Sequence, residues 1–165
     1  MATVITREAM ASEYDGTKRK SAIYTVTANN VTTNAAIENG MLVKIKGLMN
    51  GKREIFEVEA PLANTPASDL WVVTTPEVIA DERKKNLSDF INKADSIITI
   101  DKLTTNDIFS VTADGFDGTA TATYGVYLNN AGGVKPTISS VSTNMGTKIG
   151  EVLDITNSKT AIIVK

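Results

Sequence analysis

The chain contains no cysteine and no histidine. Without cysteine it has no disulfide, no thiolate nucleophile and no cysteine-based zinc site. Without histidine it lacks the usual general base and the commonest metal ligand. Aromatic residues make up only 5% of the chain, which leaves few side chains for the stacking platforms of a sugar site. We therefore expect a protein that is not an enzyme and needs no metal or other cofactor.

The chain also lacks an excess of charge of either sign. Seventeen basic residues face nineteen acidic ones, so the formal net charge is −2 and no strong field gathers phosphates. No window approaches the roughly 18 apolar residues of a membrane helix. The first ten residues lack the apolar core of a secretory signal. Direct nucleic-acid binding and membrane contact are not expected.

Threonine is abundant, with 22 of the 165 residues, and valine and isoleucine add to this excess of β-branched side chains. Such side chains favour pleated, half-buried surfaces. Short β-like runs separated by turn residues, with little helix between them, indicate antiparallel pairing. The predicted fold is mainly β: a single antiparallel β-barrel or sandwich with an extended N-terminal arm and at most one short helix.

The first twenty residues differ from the rest of the chain. Thr6–Glu13 is compatible with one helical turn, whereas Asp15–Lys20 has no apolar periodicity. We interpret residues 1–20 as an arm and residues 21–165 as one β-rich globular domain.

The clearest local pattern is a β-hairpin. Met41–Leu48 alternates apolar and polar residues, Asn50–Gly51 supplies a turn, and Arg53–Ala60 runs back. Leu70–Thr74 is a further strand in which Trp71 is expected to be a core residue. The other predicted strands are Ala22–Thr27, Ser96–Ile100, Asp107–Thr112, Ala120–Leu128, Lys135–Val141, Lys148–Ile155 and Lys159–Val164.

One helix is predicted between Thr75 and Ile91. Thr75 is a possible cap, Pro76 suits a first helical position and Glu77 complements the helix dipole. The middle, Asp81–Asn86, is so polar that a loop with only a final helical turn is an alternative.

Three polar groups are candidates for binding. Asp114–Gly118 places carboxylates near glycines, but it lacks the alternating ligands and distal glutamate of a calcium loop, so a polar turn is favoured. Lys18–Lys20 and the run Asp81–Lys85 suit an ionic contact with a partner or an ordinary solvated surface. On the solvated faces of the hairpin, Lys44, Lys46, Arg53 and Glu57 can form cross-strand charge pairs, for which a role in solubility and strand register is favoured.

Several segments together resemble a known class of proteins. Ala36–Lys44, Thr75–Val78, Asp81–Leu87 and Asp107–Thr112 resemble small virion proteins encoded beside the major capsid gene of tailed bacteriophages. The resemblance spans about residues 30 to 165, and none of its motifs is catalytic. It implies a decoration or auxiliary protein on the outside of the capsid shell, or the base of a head fibre.

The implied partners are the major capsid protein and neighbouring copies of this chain around a local symmetry axis. The implied location is the capsid surface of the virion, after synthesis in the host bacterial cytoplasm. The alternative is a receptor- or glycan-binding module of a head fibre or tail, which would use the loops Asp114–Gly118 and Asn129–Gly133. The residues predicted to contact the capsid or another partner are Thr3, Val4, Ile5, Arg7, Tyr14, Lys18, Arg19, Lys20, Arg83, Lys84 and Lys85.

Overall fold

A computed structural model describes the backbone of residues 6–7 and all of residues 18–77 and 90–165. Within these ranges the chain is mainly β, as predicted, and its helical structure consists of two 3-10 turns, Ala67–Asp69 and Ala113–Gly115. The strands of these ranges are β1 (Thr6–Arg7), β2 (Arg19–Ala28), β3 (Val31–Asn34), β4 (Leu42–Leu48), β5 (Ile55–Glu59), β6 (Leu70–Val73), β7 (Ile98–Lys102), β8 (Ile108–Thr112), β9 (Asp117–Gly118), β10 (Gly125–Tyr127), β11 (Thr137–Ser139), β12 (Lys148–Thr156) and β13 (Lys159–Val164).

Five strands close into a barrel. Their order is β2-β5-β4-β6-β7, and β7 pairs again with β2, so each of these strands has a partner on both sides. The β2–β5 pair is parallel and the other four pairs are antiparallel. β3 folds back on the second half of β2 and extends it beyond the barrel. The buried residues that fill the barrel are Ala22, Ile37, Met41, Val43, Val58, Trp71, Val73, Ile98 and Ile100.

The remaining strands form an open, curved sheet in the order β1-β8-β13-β12-β10-β11-β9. Its pairs are antiparallel except β9–β11, which is parallel. This sheet packs against the outside of the barrel. Its buried residues are Leu103, Phe109, Val111, Phe116, Val126, Leu128, Ile138, Ile149, Val152, Ile162 and Val164.

Strand β6 belongs to both cores. Leu70 and Val72 pack with the open sheet, while Trp71 and Val73 point into the barrel. All four side chains are buried, which explains why this strand is an unbroken apolar run instead of an alternating one. The prediction that Trp71 is a core residue is confirmed.

Several predicted strands agree closely with the structure. β13 has the predicted bounds, and β4 and β5 form the predicted antiparallel hairpin around Asn50–Gly51. β10 is much shorter than the predicted Ala120–Leu128. Its beginning is taken up by a turn in which the Tyr124 amide donates to the Thr121 carbonyl and Thr123 has a positive φ of 72°.

The beginning of the chain departs from the prediction in two places. β2 begins at Arg19, so the predicted boundary between residues 20 and 21 falls inside a barrel strand. Thr6 and Arg7 form a short strand on β8, opposite Ser110 and Phe109, so the predicted helical turn is wrong for these two residues.

Most of the predicted helix, residues 78–89, lies outside the described residues. On either side, residues 75–77 and 90–91 are not helical.

Candidate functional site

One end of the barrel gathers lysines around two aromatic rings. β2 and β5 begin at this end, β6 also begins there, and β7 ends there. Lys20 lies opposite Ile100, an interior residue, and Lys102 lies opposite Trp71, so both lysines project from the interior-facing side of their strands. We call this end, with Lys20, Lys44, Lys102, Phe56, Trp71 and Asp69, the lysine mouth.

The rings of the lysine mouth interact with Lys20. Its ammonium lies 4.8 Å from the centroid of the Phe56 ring and 5.8 Å from that of Trp71. These distances suit cation–π attraction, which strengthens where water is excluded. Trp71 is only 6% exposed, so Lys20 covers rings that already belong to the barrel core.

A cavity of about 390 Å³ opens at the lysine mouth. The residues that line it are Lys44, Ile45, Ser68, Asp69, Trp71 and Lys102. Lys44 forms an ion pair with Glu59 across β4 and β5, with 3.1 Å between Nζ and Oε1. The charged residues of the lining are Lys44, Lys102 and Asp69, and Lys44 is paired with Glu59, so positive and negative charges balance at this cavity.

Arg19 faces away from the lysine mouth. Its guanidinium donates from Nε and Nη2 to the two carboxylate oxygens of Asp101, at 2.8 and 3.3 Å. The Thr74 hydroxyl donates to the same carboxylate at 2.7 Å. Asp101 is 4% exposed, so this pair holds the β2–β7 seam that closes the barrel. The geometry gives Arg19 a structural role inside the fold.

The predicted partner-binding residues are thus separated by the structure. Lys18 accepts a backbone hydrogen bond from Lys102, Lys20 lies in the lysine mouth and Arg19 pairs with Asp101. Arg7 lies in β1 opposite Phe109 of β8. The other predicted residues lie outside the described part of the chain: Thr3, Val4, Ile5, Tyr14, Arg83, Lys84 and Lys85.

The sequence analysis missed Lys102 and did not connect Lys44 to this end of the barrel. The alternation of Lys18 and Lys20 about Arg19 is a local signal that two of the three share a face. The approach of Lys102 depends on the pairing of β2 with β7, which is about 80 residues away in sequence and leaves no local signal.

A second surface is the hairpin of β2 and β3, which projects beyond the barrel. Each of residues 26–33 is exposed. The turn residues Asn29 and Asn30 both have positive φ, 51° and 61°, which is the geometry of a two-residue hairpin turn. Ala28 lies opposite Val31, and Val26 is on the same face; Val31 is 60% exposed. One face of this hairpin is therefore a small apolar surface open to solvent.

The opposite face of the same hairpin is polar. The hydroxyls of Thr27 and Thr32 are hydrogen bonded at 2.9 Å, and Lys46 Nζ donates to the Thr32 hydroxyl at 3.4 Å. The apolar and polar faces follow directly from the alternation of side chains along the strands.

The two loops proposed for receptor binding lie side by side. The Asn129 side-chain amide donates to a carboxylate oxygen of Asp117 at 3.4 Å. Asn129 also accepts a hydrogen bond from the Ala131 amide, which fixes its own turn. Within the described residues no group of three or more histidine, cysteine, aspartate or glutamate side chains is placed to hold a metal ion. The favoured interpretation of Asp114–Gly118 was a polar turn, and the structure shows a 3-10 turn followed by the short strand β9.

Two segments that carry the bacteriophage resemblance meet at a buried asparagine. Asn39 is 1% exposed, and its amide donates to the Thr75 carbonyl at 2.8 Å and to Glu77 Oε1 at 3.1 Å. Asn92 donates to the Asn39 side-chain oxygen at 3.1 Å. All five polar atoms of this contact have a partner within it, which indicates that these hydrogen bonds hold the three segments together.

The electrostatics of Tyr24 reflect its position near the other end of the barrel. Burial raises the pKa of the Tyr24 hydroxyl, and the negative charge of Glu59 raises it further. Tyr24 therefore stays neutral and is no candidate for a phenolate base.

No family model matches this chain, and neither the curated proteins nor the solved structures contain a match to it. Among the described residues, no helix has the length and apolar character needed to span a bilayer.

Proposed function

We propose that this chain is a bacteriophage virion protein that binds the outside of the major capsid shell and stabilises the head. The observation that carries the proposal is the β2–β3 hairpin, whose apolar face of Val26, Ala28 and Val31 is presented to solvent beyond the barrel. Such a face is built to adhere to another surface.

The resemblance to virion proteins supports the same proposal. Among the described residues, Asn39 and Thr75 of these segments form a buried hydrogen bond and Asp107–Thr112 contains strand β8, so these parts belong to the scaffold. A decoration protein works by shape and contact, and it needs no reactive group. On a symmetric shell the same contact is repeated many times, so individually weak contacts add up to a stable coat.

The test is a count of copies in purified particles. We expect hundreds of copies of the chain per virion and heads that resist heating better than heads from a phage lacking its gene. A few copies per particle would point to a tail or fibre instead. Virions that never carry the chain would contradict the proposal.

The contact between the β2–β3 hairpin and the shell is tested by adding purified variants to heads from a phage that lacks the gene for this chain. Val31→Lys places a charge on the apolar face and should reduce occupancy severalfold. Leu62→Lys is a matched control, because Leu62 is 57% exposed and lies outside the hairpin. Both variants change exposed residues, so their stability should stay within about 0.5 kcal/mol of the parent. Equal occupancy of the two variants would exclude the hairpin from the contact.

The N-terminal segment is also proposed to take part in the grip on the shell. Because Arg19 holds the β2–β7 seam, a deletion that tests this must stop at residue 17. We expect the chain without residues 2–17 to fold and to lose capsid occupancy. Undiminished occupancy would show that the segment is not needed.

The second candidate function is receptor or glycan binding. It is favoured by the contact between Asp117 and Asn129, which joins the two loops into one exposed polar surface. The copy count separates this function from shell decoration. Binding of the purified chain to host cells, lost in Asn129→Ala but not in Val31→Lys, would support it.

A further inference from the structure

The outer edge of β3 is an open strand edge that carries no charge. Within the described residues, β2 is the one strand that pairs with β3. Natural proteins commonly protect open edges with charged side chains or proline. Residues 21–37 contain neither a charged residue nor a proline, and residues 31–33 of β3 are all exposed. This edge is therefore open to a further strand.

The direction of the main-chain groups of β3 follows from one hydrogen bond. The Ala35 amide donates to the Tyr24 carbonyl at 3.0 Å, so the main-chain groups of Ala35 face β2. These groups alternate in direction along an antiparallel strand, so those of Thr33 face β2 as well. The N–H and C=O groups of Thr32 and Asn34 consequently point away from β2, toward the open edge.

We propose that the open edge of β3 pairs with the same edge of a second copy of this chain, in an antiparallel arrangement about a two-fold axis. In the register that we infer, Thr33 lies at the axis opposite its own counterpart. Thr32 of each copy then lies opposite Asn34 of the other, and each such pair exchanges two backbone hydrogen bonds. The two hairpins together form a continuous four-stranded sheet.

Two charged side chains without ion-pair partners favour a second copy and select this register. Lys46 Nζ donates to the Thr32 hydroxyl at 3.4 Å. The Asn34 side-chain amide donates to the Asp95 carboxylate at 2.6 Å. Lys46 and Asp95 are exposed, and within the described residues neither forms an ion pair.

The two-fold axis brings these opposite charges together twice. Thr32 and Asn34 lie directly opposite each other in the inferred register, and opposite residues share a face of the sheet. The Lys46 ammonium of each copy therefore approaches the Asp95 carboxylate of the other. Because the strands that meet are themselves uncharged, no like charges oppose the contact along the paired edge.

The same pairing joins the two apolar faces. Val26, Ala28 and Val31 of both copies lie on one side of the four-stranded sheet, because the two-fold axis is perpendicular to it. Under the proposed function, a pair of copies would present twice the adhesive surface to the shell. The pairing itself needs no shell, so it is tested on the purified chain.

A trapping experiment suits this contact because the contact is small. Each copy contributes the 4 residues of β3, far fewer than the roughly 20 residues on each side of a standard stable interface. Free copies should therefore associate weakly. The chain has no cysteine of its own, so a single introduced cysteine reports on one position alone.

Thr33→Cys places two thiols face to face at the axis. The Cα atoms of such a non-hydrogen-bonded pair are about 4.5 Å apart, a distance that a disulfide spans. Thr27→Cys is the matched control, because Thr27 is also an exposed threonine of this hairpin but lies on β2, behind β3. Under mild oxidation with glutathione, we expect the disulfide-linked dimer of Thr33→Cys to form about tenfold faster, as measured by non-reducing electrophoresis.

Charge variants in the Thr33→Cys background test the register. Lys46→Glu makes both sides of the contact acidic and Asp95→Lys makes both basic, so each should slow cross-linking by about threefold. An equimolar mixture of the two should cross-link at the parental rate, because each variant supplies the charge that the other lacks. Mass spectrometry identifies the mixed dimer. If Asp95→Lys does not fold, Asp95→Asn suits the positive φ of 68° at this residue and should also slow cross-linking.

Equal cross-linking of Thr33→Cys and Thr27→Cys would overturn the inference, and so would an undiminished rate in folded Lys46→Glu. Circular dichroism checks the fold of each variant. The copy count in virions tests the proposed function separately. If virions never carry the chain but Thr33→Cys cross-links as expected, the proposed function fails and the pairing stands. If the chain coats heads but the two cysteine variants cross-link equally, the pairing fails and the proposed function stands.

Discussion

The barrel and the open sheet differ in whether their strands leave unpaired edges. In the barrel, β7 returns to β2, so the five strands satisfy one another and enclose their own core. The open sheet has two edges, at β1 and β9, and it buries its inner face only by packing on the outside of β4 and β6. The barrel therefore serves as the platform, and its strands supply Leu42, Leu70 and Val72 to the core of the sheet.

The largest loss of stability is expected from Leu70→Ala, which tests whether the sheet depends on the barrel. Leu70 is fully buried where the sheet meets the barrel, so its truncation leaves a cavity between the two and should cost about 3 kcal/mol of unfolding free energy. Tryptophan fluorescence and far-UV circular dichroism during urea unfolding measure this cost. We expect both signals to change together, because the two regions share strand β6.

Leu62→Ala is the control for this substitution, since Leu62 is exposed and its loss should change stability by less than about 0.5 kcal/mol. Two separate transitions in Leu70→Ala would show that the barrel stands without the sheet and that the shared strand does not couple them.

A smaller effect is expected at the seam that closes the barrel. Asp101→Asn removes the charge that holds Arg19 and weakens the bond from Thr74, which should cost about 2 kcal/mol. Amide exchange should accelerate in β2 and β7 more than in β8 and β13. Asp114→Asn, at an exposed acid, provides the control, and uniform acceleration in all four strands would mean that the seam has no local role.

The smallest expected effect is a loss of stability at low pH in the hairpin of β12 and β13. A hydrogen bond and the positive charge of Lys148 lower the pKa of Glu151, and bonds from the Thr156 hydroxyl and the Ile155 amide lower the pKa of Asp154. A lowered pKa in the folded state means that the stabilisation is present above the ordinary carboxyl pKa and is lost as the pH falls through the folded value. The amide protection factors of this hairpin, which correct for the intrinsic pH dependence of exchange, should therefore fall below about pH 4.5, the ordinary value for glutamate. Lys148→Gln should shift the Glu151 titration upward in carbon-detected NMR; an unchanged titration would exclude the ion pair as the cause.

The sequence was most informative where a strand is defined by its own alternation. β13 and the β4–β5 hairpin follow from local pattern and turn residues, and their bounds agree closely. The sequence pattern places Arg19 and Lys20 in an arm because Asp15–Lys20 has no apolar periodicity. In the structure, their environment is set by β7, and Asp101 is 82 positions away from Arg19.

The candidate site shows the same limit. Lys18 and Lys20 were identified as binding residues, but Lys102 was not, because its proximity to Trp71 comes from the pairing of β6 with β7. The parallel β2–β5 pair was not foreseen either, since a parallel pair leaves no hairpin turn in the sequence. Local chemistry predicted the strands, and long-range pairing decided which side chains meet.

The turns Asn29–Asn30 and Asn157–Ser158 give the molecule two outlying points that touch neither core. All four residues are exposed and have positive φ, and residues 26–28, 31–33 and 153–156 in the adjoining strands are exposed as well. Foreign peptides spliced into the second turn would leave the apolar face of the first intact. Under the proposed function, such a chimera would carry the inserted peptide to the surface of the capsid.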